Sequence, residues 1–351
     1  ENFKPFDTIQ SNRRDKQKAF VNYEVFANNK WNPIKKVIRH KTNKKIYRVN
    51  THCGVVDVTE DHSLLSDKRE KIKPGECVVG ETKLFHCFPN EVSGEPLHLN
   101  EIVEELDKYE TSVKTYEEME AFIYGVFFGD GSCGCYDTKW GLKYTWALNN
   151  QNNELLEQCK LYLEELYGEN TKFKILDTKT SSGVNKLVPY GSIKYIVNLY
   201  RNLFYDKDKY KIVPNKILNG SYEVRKNFFI GYYAADGYKC RNVKTKNICF
   251  SNKGKIGSSQ LYYLCKTLGY KVSINTRQDK LNIYKITCSL TKLRKPSNML
   301  KKMIYLRDSE DEYVYDLETE NGTFCAGVGE LEIFNTDSIF LKYKEYKEDG
   351  V

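Results

Sequence analysis

The sequence contains no long hydrophobic run, and no stretch approaches the roughly 18 to 20 apolar residues of a membrane-spanning helix. It also lacks an initiating Met and the charged-then-apolar layout of a signal peptide, which is consistent with a fragment of a longer protein. None of its 11 cysteines forms a CxxC motif, and their odd number fits no disulfide framework. We therefore expect a protein of a reducing intracellular compartment, the cytoplasm or nucleus of a host or virus-infected cell, with no membrane partner.

Acidic residues are almost absent from residues 239–302, where Asp279 stands against 16 Lys and Arg. This segment carries a net charge of +15, so the rest of the 351-residue chain carries −7 of the total of +8. The basic residues alternate with apolar ones, as in strands and helices that have one basic face. Such a face predicts nucleic-acid binding, and a solvated lysine-rich surface is the alternative. The residues predicted to contact DNA are Lys239, Arg241, Lys244, Lys246, Lys253, Arg277 and Lys285.

Two segments of the chain repeat one pattern, AFIYGVFFGDGS (121–132) and FFIGYYAADGYK (228–239). Their Asp-Gly pairs align without gaps, Asp130 with Asp236. In each copy an apolar strand, an Asn and an amphipathic helix follow, and the first Leu of that helix lies 25 residues after the Asp. A repeat of more than 100 residues predicts two similar subdomains in tandem.

Each repeated segment is expected to be a helix that ends at its Asp. Thr115 and Glu118 form a sequence pattern typical of a capping box at the start of the first helix. Small residues four apart, such as Gly125 and Gly129, lie on one helix face and allow two such helices to pack backbone to backbone. The two Asp residues would then lie close together, and paired carboxylates suit divalent metal ions and phosphodiester hydrolysis. The alternative is a glycine-faced core helix that happens to end in Asp.

The two motifs resemble the LAGLIDADG signature of homing endonucleases, and the resemblance covers about residues 110–300. It implies a two-repeat domain of αββαββα type whose pair of β-saddles lies along the major groove of double-stranded DNA. It also implies that Asp130 and Asp236 bind the catalytic Mg²⁺. KYKIVP (209–214) resembles the basic segment that precedes the second motif in this family. Lys211 is therefore a candidate auxiliary active-site lysine, with a plain surface lysine as the alternative.

Residues 32–65 alternate apolar and polar in short bursts, which predicts β-strands and tight turns. Thr59 and His62, at the end of one such strand, can act on one peptide bond. A hydroxyl or backbone donor would polarise the carbonyl while the imidazole protonates the leaving amine. Taken alone, this spacing is more typical of a structural turn. Near the C-terminus, GVGELEIF (327–334) predicts one short, half-buried strand.

GVVDVTEDHSLL is similar to an intein motif, and YVYDLETENGTFCAGVGELEIFN is similar to the C-terminal intein blocks. The resemblance implies an all-β, horseshoe-shaped Hint fold, incomplete at its N-terminus, whose two parts flank the endonuclease. It makes Thr59 and His62 activators of the N-terminal splice junction. It makes Asn335 the residue that cyclises to a succinimide and Thr336 the hydroxyl nucleophile of the host protein.

The sequence TDSIF, which follows Asn335, resembles the DTDS metal-binding motif of family B DNA polymerases after its first Asp. Asp337 would then be a catalytic carboxylate of the spliced host, which the insertion inactivates until it leaves. The polymerase exteins and the uninterrupted polymerase gene are therefore the expected partners.

The intein pattern is broken at three positions. No Cys or Ser nucleophile begins the chain, so an N-terminal intein piece is either supplied in trans, as in a split intein, or missing by truncation. Phe334 stands where a His commonly precedes the terminal Asn, and Gly322-Thr323 stands where another His is common. Asp316 is the nearest candidate activator, with turn capping as its alternative, and Cys325 is more typical of a small apolar filler. Neither part of the splicing fold has a CxxC or a His cluster for zinc, and we expect splicing to need no cofactor.

The combined prediction is an α+β protein that splices itself autocatalytically out of a family B DNA polymerase and carries a site-specific, double-strand DNA homing endonuclease. One alternative is a free-standing LAGLIDADG endonuclease or DNA-binding module without splicing activity, and another is a splicing element with a decayed endonuclease. The predicted segments are 1–90 (N-terminal part of the splicing domain), 91–302 (endonuclease, with repeats at about 110–200 and 221–302), 303–335 (C-terminal part of the splicing domain) and 336–351 (polymerase stub).

Overall fold

A computed structural model describes residues 3–5, 16–89, 94–107, 113–168, 171–179, 181, 183–237, 247–291, 293 and 295–335. The architecture is α+β, and contacts divide the chain into two compact units. Unit 1 comprises Glu1–Glu91, Ser273–Leu281 and Leu293–Val351, and unit 2 comprises Val92–Val272 and Asn282–Lys292. Among the described helices, none combines the length and apolar character that a membrane crossing requires.

The strands of the described residues are numbered in chain order. They are β1 (Lys4–Pro5), β2 (Lys16–Ala19), β3 (Glu24–Ala27), β4 (Lys30–Thr42), β5 (Lys45–Thr51), β6 (Gly54–Thr59), β7 (Leu64–Leu65), β8 (Lys71–Ile72), β9 (Gly131–Thr138), β10 (Gly141–Asn150), β11 (Thr171–Asp177), β12 (Asn185–Gly191), β13 (Ile248–Lys253), β14 (Lys271–Thr276), β15 (Ile283–Ser289), β16 (Leu300–Asp308), β17 (Glu312–Thr319), β18 (Thr323–Cys325), β19 (Val328–Gly329) and β20 (Glu332–Phe334). The α-helices are Leu99–Asp107, Tyr116–Asp130, Asn153–Tyr167, Ile193–Phe204, Asn215–Leu218, Tyr222–Asp236 and Lys255–Thr267.

Unit 1 consists mainly of antiparallel sheets. The long strand β4 pairs with β2, β3 and β17, a second sheet has the order β16-β5-β6-β19, and a third has the order β18-β20-β7-β8. Val55, Val56 and Val58 in β6 are buried, as expected for a strand covered on both faces. Val56 and Val58 belong to one apolar cluster, whose other buried members are Val49, Leu64, Leu84, Leu300, Phe324, Leu331 and Ile333. The β-strands and tight turns expected in residues 32–65 are therefore present, and β4 is a long strand of 13 residues.

The single strand expected at residues 327–334 is wrong in detail, because the segment is divided between two sheets. Strand β19 pairs with β6, whereas β20 pairs with β18. Gly327 and Gly329 have positive φ angles of 77° and 100°. A Cβ at these glycines would lie 2.0 Å and 2.1 Å from the carbonyl oxygens of Val55 and Cys53, respectively. Glycine therefore permits both the left-handed backbone and the close approach to β6.

Unit 2 contains the two repeats. We call Tyr116–Asp130 motif helix 1 and Tyr222–Asp236 motif helix 2. In the first repeat, motif helix 1 is followed by two strands, a helix, two strands and the helix Ile193–Phe204, which is the αββαββα order that the resemblance implies. Its strands form one antiparallel sheet in the order β11-β12-β10-β9. In the second repeat, motif helix 2 is followed by β13, the helix Lys255–Thr267, β14 and β15. Strand β14 begins in unit 2 and ends in unit 1.

The motif helices pack backbone to backbone, which confirms the prediction from their small residues. A Cβ on Gly125 would lie 2.0 Å from the carbonyl oxygen of Phe228 in the opposite helix. A Cβ on Gly231 would lie 2.2 Å from the carbonyl oxygen of Phe122. Only glycine leaves room for this approach, and the repeated small-residue spacing is therefore explained by helix contact.

One predicted domain boundary falls inside a strand. The sequence placed the end of the endonuclease segment at residue 302, but β16 (Leu300–Asp308) runs through that point and pairs along its length with β5 of unit 1. The unit division accordingly leaves Leu293–Val351 with unit 1 and returns Ser273–Leu281 to it as well. The antiparallel ladder explains the difference, because its partner strand lies about 250 residues earlier, beyond the reach of local sequence patterns.

Candidate functional sites

Asp130 and Asp236 are the last residues of the two motif helices. The helices converge closely at this end, since a Cβ on Gly129 would lie 2.7 Å from the Cβ of Ala235 and 3.1 Å from that of Asp236. Each carboxylate sits at a helix C-terminus, where the helix dipole disfavours negative charge. The structure thus places the two predicted metal ligands side by side at the C-terminal ends of adjacent helices.

Burial raises the pKa of Asp130 to about 6, and the neighbouring charge of Asp236 acts in the same direction. A hydrogen bond from Asn150 Nδ2 to Asp130 Oδ2, of 2.5 Å, opposes the shift, as does the charge of Lys211. Burial also raises the pKa of Asp236, again opposed by Lys211. Two carboxylates whose ionised forms are disfavoured make a site that a divalent cation would stabilise, because it supplies the missing positive charge.

Lys211 lies beside this pair and is half-buried. Its Nζ donates hydrogen bonds to the carbonyl oxygens of Phe127, Phe128 and Gly129, at 2.9, 3.0 and 3.0 Å. These carbonyls belong to the last turn of motif helix 1, where the oxygen of Phe127 also accepts the backbone N–H of Gly131. Burial lowers the pKa of Lys211 to about 8, and the charges of the two Asp residues oppose that shift. The alternative of a plain surface lysine does not describe this environment, whereas a catalytic role stays a prediction.

Asn150 was not among the predicted site residues. It is the last residue of β10, which begins at the turn after β9, and this hairpin returns the chain to the end of motif helix 1. The neighbouring Asn149 donates through Nδ2 to the backbone oxygen of Asp130 at 3.0 Å. The signal was present in the sequence as an Asn after an apolar strand in each repeat. In the second repeat, however, Asn252 Nδ2 donates to Ser258 Oγ at 3.0 Å, so that side chain supports its own subdomain.

The predicted DNA-contacting residues fall into three groups. Lys253 and Lys285 are exposed on one face of the antiparallel pair β13–β15, in which Lys285 lies opposite Ser251. Arg277 lies in unit 1 and forms a bidentate ion pair with Asp279, the one acidic residue of the basic segment. Four further residues lie outside the described part of the chain: Lys239, Arg241, Lys244 and Lys246.

Unit 1 places the predicted activators of the N-terminal junction in a tight turn. Thr59 ends β6, and its carbonyl oxygen accepts the backbone N–H of His62 at 3.1 Å. The hydroxyl of Thr59 donates to Asp61 Oδ1 at 3.0 Å, and Asp61 also pairs with Lys44. The turn therefore holds the backbones of Thr59 and His62 close together.

Asn335, the predicted terminal Asn, is buried and directly follows β20. Its backbone N–H donates to the carbonyl oxygen of Gly322 at 2.9 Å. The N–H of Phe334 donates to the carbonyl oxygen of Ser63 at 3.3 Å, in register with the β20–β7 pair. This hydrogen bond joins the residue before Asn335 to the residue after His62. The same sheet therefore brings the two ends of the predicted chemistry together.

The side-chain nitrogen of Asn335 is buried and has no hydrogen-bond partner within the described residues. Buried polar atoms without a partner are uncommon and mark strain or function. Thr336 and Asp337 lie outside the described part of the chain, so their geometry is not described.

Asp316 lies in a different sheet from Asn335. It is buried in β17, opposite Ile38 of β4, and its Oδ1 accepts the N–H of Leu317 at 2.8 Å. Burial lowers the pKa of His40, with the charge of Asp316 opposing that shift, so these two side chains sense each other. A residue in the middle of a strand is not a turn cap, and that alternative is wrong. The predicted role as an activator stays a prediction.

The family comparison places one part of the chain directly. Residues 223–306 match the LAGLIDADG-like domain. The matched segment begins inside motif helix 2 and contains Asp236, β13 and β15.

The chain is also similar to curated DNA polymerases. One from Acanthamoeba polyphaga mimivirus is 47% identical over 99% of the chain, which corresponds to 19% of that polymerase. One from Thermococcus sp. (strain GE8) is 24% identical over 88% of the chain and 20% of its own length. The chain therefore spans about one fifth of these relatives.

Among solved structures, I-DmoI in complex with DNA and Mn has a TM-score of 0.39 and 17% identity, covering 50% of this chain and 92% of that one. The homing endonuclease I-WcaI, bound to its DNA recognition sequence, has a TM-score of 0.33 and 15% identity, covering 53% of this chain and 81% of that one.

Proposed function

We propose that the chain is part of an intein that splices out of a family B DNA polymerase and carries a LAGLIDADG homing endonuclease. The similarity to DNA polymerases extends along 99% of the chain, and within it lies a LAGLIDADG-like segment at residues 223–306. A nuclease-type domain inside a polymerase reading frame is what a mobile, self-excising insert would look like. Free thiols at all described cysteines are consistent with an intracellular, reducing compartment.

For the nuclease, the observation that carries the proposal is the pair of carboxylates at the ends of the closely packed motif helices. Asp130 and Asp236 would hold Mg²⁺, which supplies Lewis-acid stabilisation of charge on a scissile phosphodiester. Asn150 holds the Asp130 carboxylate in one orientation. Lys211, with a pKa of about 8, exists in both protonation states near neutral pH and is suited to move a proton.

Double-stranded DNA is the proposed substrate. The exposed face of β13–β15 presents Lys253 and Lys285, and cations on one face of a sheet suit the phosphate backbone. Residues Lys239, Arg241, Lys244 and Lys246 are proposed to extend this contact, and Arg277 is proposed to exchange its partner Asp279 for phosphate. We expect the uninterrupted polymerase gene to contain the target sequence.

For splicing, we propose that the Asn335 side-chain nitrogen attacks its own carbonyl carbon. The Asn335–Thr336 peptide bond breaks and a succinimide forms. The attacking nitrogen loses one proton, and the amine of Thr336 gains one as it leaves. The Thr336 hydroxyl first receives the upstream host segment by ester exchange, and Thr59 and His62 activate the N-terminal junction. Asp316 assists in place of the missing histidines. The first nucleophile would come from an N-terminal segment of the intein.

The buried side-chain nitrogen of Asn335, which has no hydrogen-bond partner among the residues that the structure describes, supports the splicing half of the proposal. Mass spectrometry of the chain expressed with an N-terminal intein piece would detect loss of residues 336–351 and joining of the host segments. Asn335→Ala should retain the full-length chain. If that substitution changes nothing in the products, the free-standing endonuclease is the better reading.

The nuclease half is tested separately with purified chain, Mg²⁺ and a duplex that contains the uninterrupted polymerase sequence around the DTDS codons. Double-strand cleavage at one position, lost on chelation, is the expected result. The assay should be run at low salt, where DNA affinity is highest. Absence of cleavage under those conditions would favour a splicing element with a decayed endonuclease.

A further inference from the structure

Unit 1 contains a cluster of metal-binding atoms that the sequence does not show as a motif. The Sγ atoms of Cys87 and Cys325 and a carboxylate oxygen of Glu332 all lie within 4.8 Å of one another. Cys87 and Glu332 are buried, and Cys325 is half-buried. The proposed splicing mechanism does not use these three residues, because its chemistry is assigned to Asn335, Thr59 and His62.

Backbone hydrogen bonds hold the three donors in place. Cys325 in β18 lies directly opposite Glu332 in β20. The N–H of Cys87 donates to Glu330 O at 2.8 Å, and the N–H of Glu332 donates to Phe85 O at 3.2 Å, so the Cys87 segment is tied to the same strand. Sites on mutually bonded backbone segments keep their geometry better than sites on free loops.

A surrounding set of donors orients the cluster. The carboxylate of Glu332 accepts the Thr323 hydroxyl at 2.6 Å and the backbone N–H of Asn28 at 2.9 Å. The sulfur of Cys87 accepts the backbone N–H of Asn29 at 3.2 Å. Metal ligands are commonly held by such outer hydrogen bonds, which leave the remaining lone pairs directed at the ion.

Both thiols donate hydrogen bonds to oxygen atoms outside the cluster of ligand atoms. Cys87 Sγ donates to Asn29 Oδ1 at 3.3 Å, and Cys325 Sγ donates to the backbone oxygen of Cys87 at 3.2 Å. These protons would leave on metal binding, because thiolate is the form that binds metal.

We propose that Cys87, Cys325 and Glu332 form a Zn²⁺ site within unit 1. Two sulfurs and one carboxylate are a ligand set that zinc accepts, and thiolates select it over Mg²⁺. Tetrahedral zinc with bonds to sulfur of about 2.3 Å needs sulfur atoms about 3.8 Å apart, so the cluster contracts only slightly on binding. Binding releases the thiol protons to solvent, and the fourth position is left to water.

The site has a consequence for the C-terminal junction. Glu332 begins strand β20, which ends one residue before Asn335, and the ion would tie that strand to both β18 and the Cys87 segment. Zinc therefore acts as a structural clamp that holds the strand leading to Asn335. The inference does not rest on splicing, because it concerns only binding and the stability of unit 1.

The test uses the full chain, reduced and freed of metal, titrated with Co²⁺ and then with Zn²⁺. We expect a thiolate-to-cobalt absorption band that saturates at one equivalent and disappears as Zn²⁺ displaces the cobalt. Cys87→Ser and Cys325→Ser should each weaken binding by at least about 100-fold, and Thr323→Val by about 10-fold. Cys77→Ser, a half-buried cysteine of the same unit outside the cluster, should bind as the parent chain does.

A second measurement needs no variant. Bound Zn²⁺ should protect Cys87 and Cys325 from alkylation, as read by mass spectrometry, while Cys77 reacts at an unchanged rate. The proposal is overturned if the cobalt band survives both serine substitutions, or if Zn²⁺ does not protect the two thiols. The chain could also be isolated with a Cys87–Cys325 disulfide. If the thiols obtained after its reduction have no affinity for Zn²⁺, the proposal is overturned as well.

Discussion

The carboxylate site of unit 2 and the junction site of unit 1 differ in how the chain assembles them. In unit 2 each half of the site follows one helix, and the same sequence pattern occurs twice, so that Asp130 and Asp236 meet by near-symmetry. In unit 1, Asn335 meets the His62–Ser63 segment only through pairing of β20 with β7, strands nearly 270 residues apart. The first kind of site is local and repeated, whereas the second depends on long-range sheet register.

The two sites should also respond differently to substitution. A site on paired helix ends loses its chemistry when one carboxylate is removed but keeps its scaffold, because the helices pack through glycines and not through the carboxylates. A site made by strand register is altered by anything that shifts the ladder, because a slip of one residue turns every side chain to the opposite face.

The largest expected effect separates the two activities. Asp236→Asn, and likewise Asp130→Asn, should reduce Mg²⁺-dependent DNA cleavage by about 10³-fold, since one metal-binding charge is lost. Cleavage after Asn335 should be unchanged in the same proteins. Asp137→Asn removes an exposed carboxylate in the same subdomain and serves as the control. Equal loss of both activities would show that the substitution unfolds the chain and would break the comparison.

The next effect is on stability. Gly125→Ala places a Cβ 2.0 Å from the carbonyl oxygen of Phe228, and backbone cannot move aside as a side chain can. We expect the free energy of unfolding of unit 2 to fall by about 3 kcal/mol, measured by urea denaturation. Gly75→Ala meets no atom within 4 Å and should change the unfolding free energy by less than about 0.5 kcal/mol. A tolerated Gly125→Ala would contradict backbone-to-backbone contact of the motif helices.

These differences explain what the sequence could reveal. Asp130 and Asp236 were predictable because a repeat turns one weak pattern into two matched ones, and small-residue spacing predicted the helix contact. The hydrogen bonds of Lys211 to three carbonyls and of Asn150 to Asp130 could not be predicted. They depend on how distant segments of the chain return to the end of motif helix 1. The elements of unit 1 were largely predictable as short strands, but their partners were not.

The Cys87, Cys325 and Glu332 cluster shows the limit most directly. A zinc motif is recognised in a sequence when its ligands are close together, as in CxxC, and here Cys87 is separated from Cys325 and Glu332 by more than 200 positions. The break of residues 327–334 into two strands was also missed. Gly327 and Gly329 were visible, but the close approach to β6 that requires them was not.

A smaller effect sharpens the description of the junction. The strand register brings Asn335 to the His62–Ser63 segment, whereas Asp316 lies in another sheet. His62→Ala should slow joining of the host segments by about 100-fold, because the proposed general acid of the N-terminal junction is lost. Asp316→Ala should slow cleavage after Asn335 by about 10-fold, because the proposed activator of that step is lost. Cleavage rates followed by mass spectrometry would decide, and an unchanged rate for Asp316→Ala would remove that residue from the proposed mechanism.

The smallest effect concerns the cost of the carboxylate pair. The pKa of Asp130 is raised by burial from 3.8 to about 6, so the folded chain binds this proton more tightly than the unfolded chain. The resulting stabilisation is complete below pH 3.8 and is lost as the pH rises through about 6. The side chain in Asp130→Asn is always neutral. At pH 7.5 without metal, the free energy of unfolding of this variant should therefore be about 1 kcal/mol higher than that of the parent chain, and at pH 3.5 the two should be equal.

Urea denaturation at the two pH values measures this difference, and Asp137→Asn, which changes an exposed residue of the same subdomain, should show neither the gain nor its pH dependence. Excess Mg²⁺ should reverse the order at pH 7.5, because only the parent chain gains binding energy from the ion. If Asp130→Asn is less stable than the parent chain at pH 7.5 in the absence of metal, the carboxylate is structural in its own right. The free-energy cost of holding two negative charges at adjacent helix ends would then be absent. That cost is what distinguishes the carboxylate site of unit 2 from the junction site of unit 1.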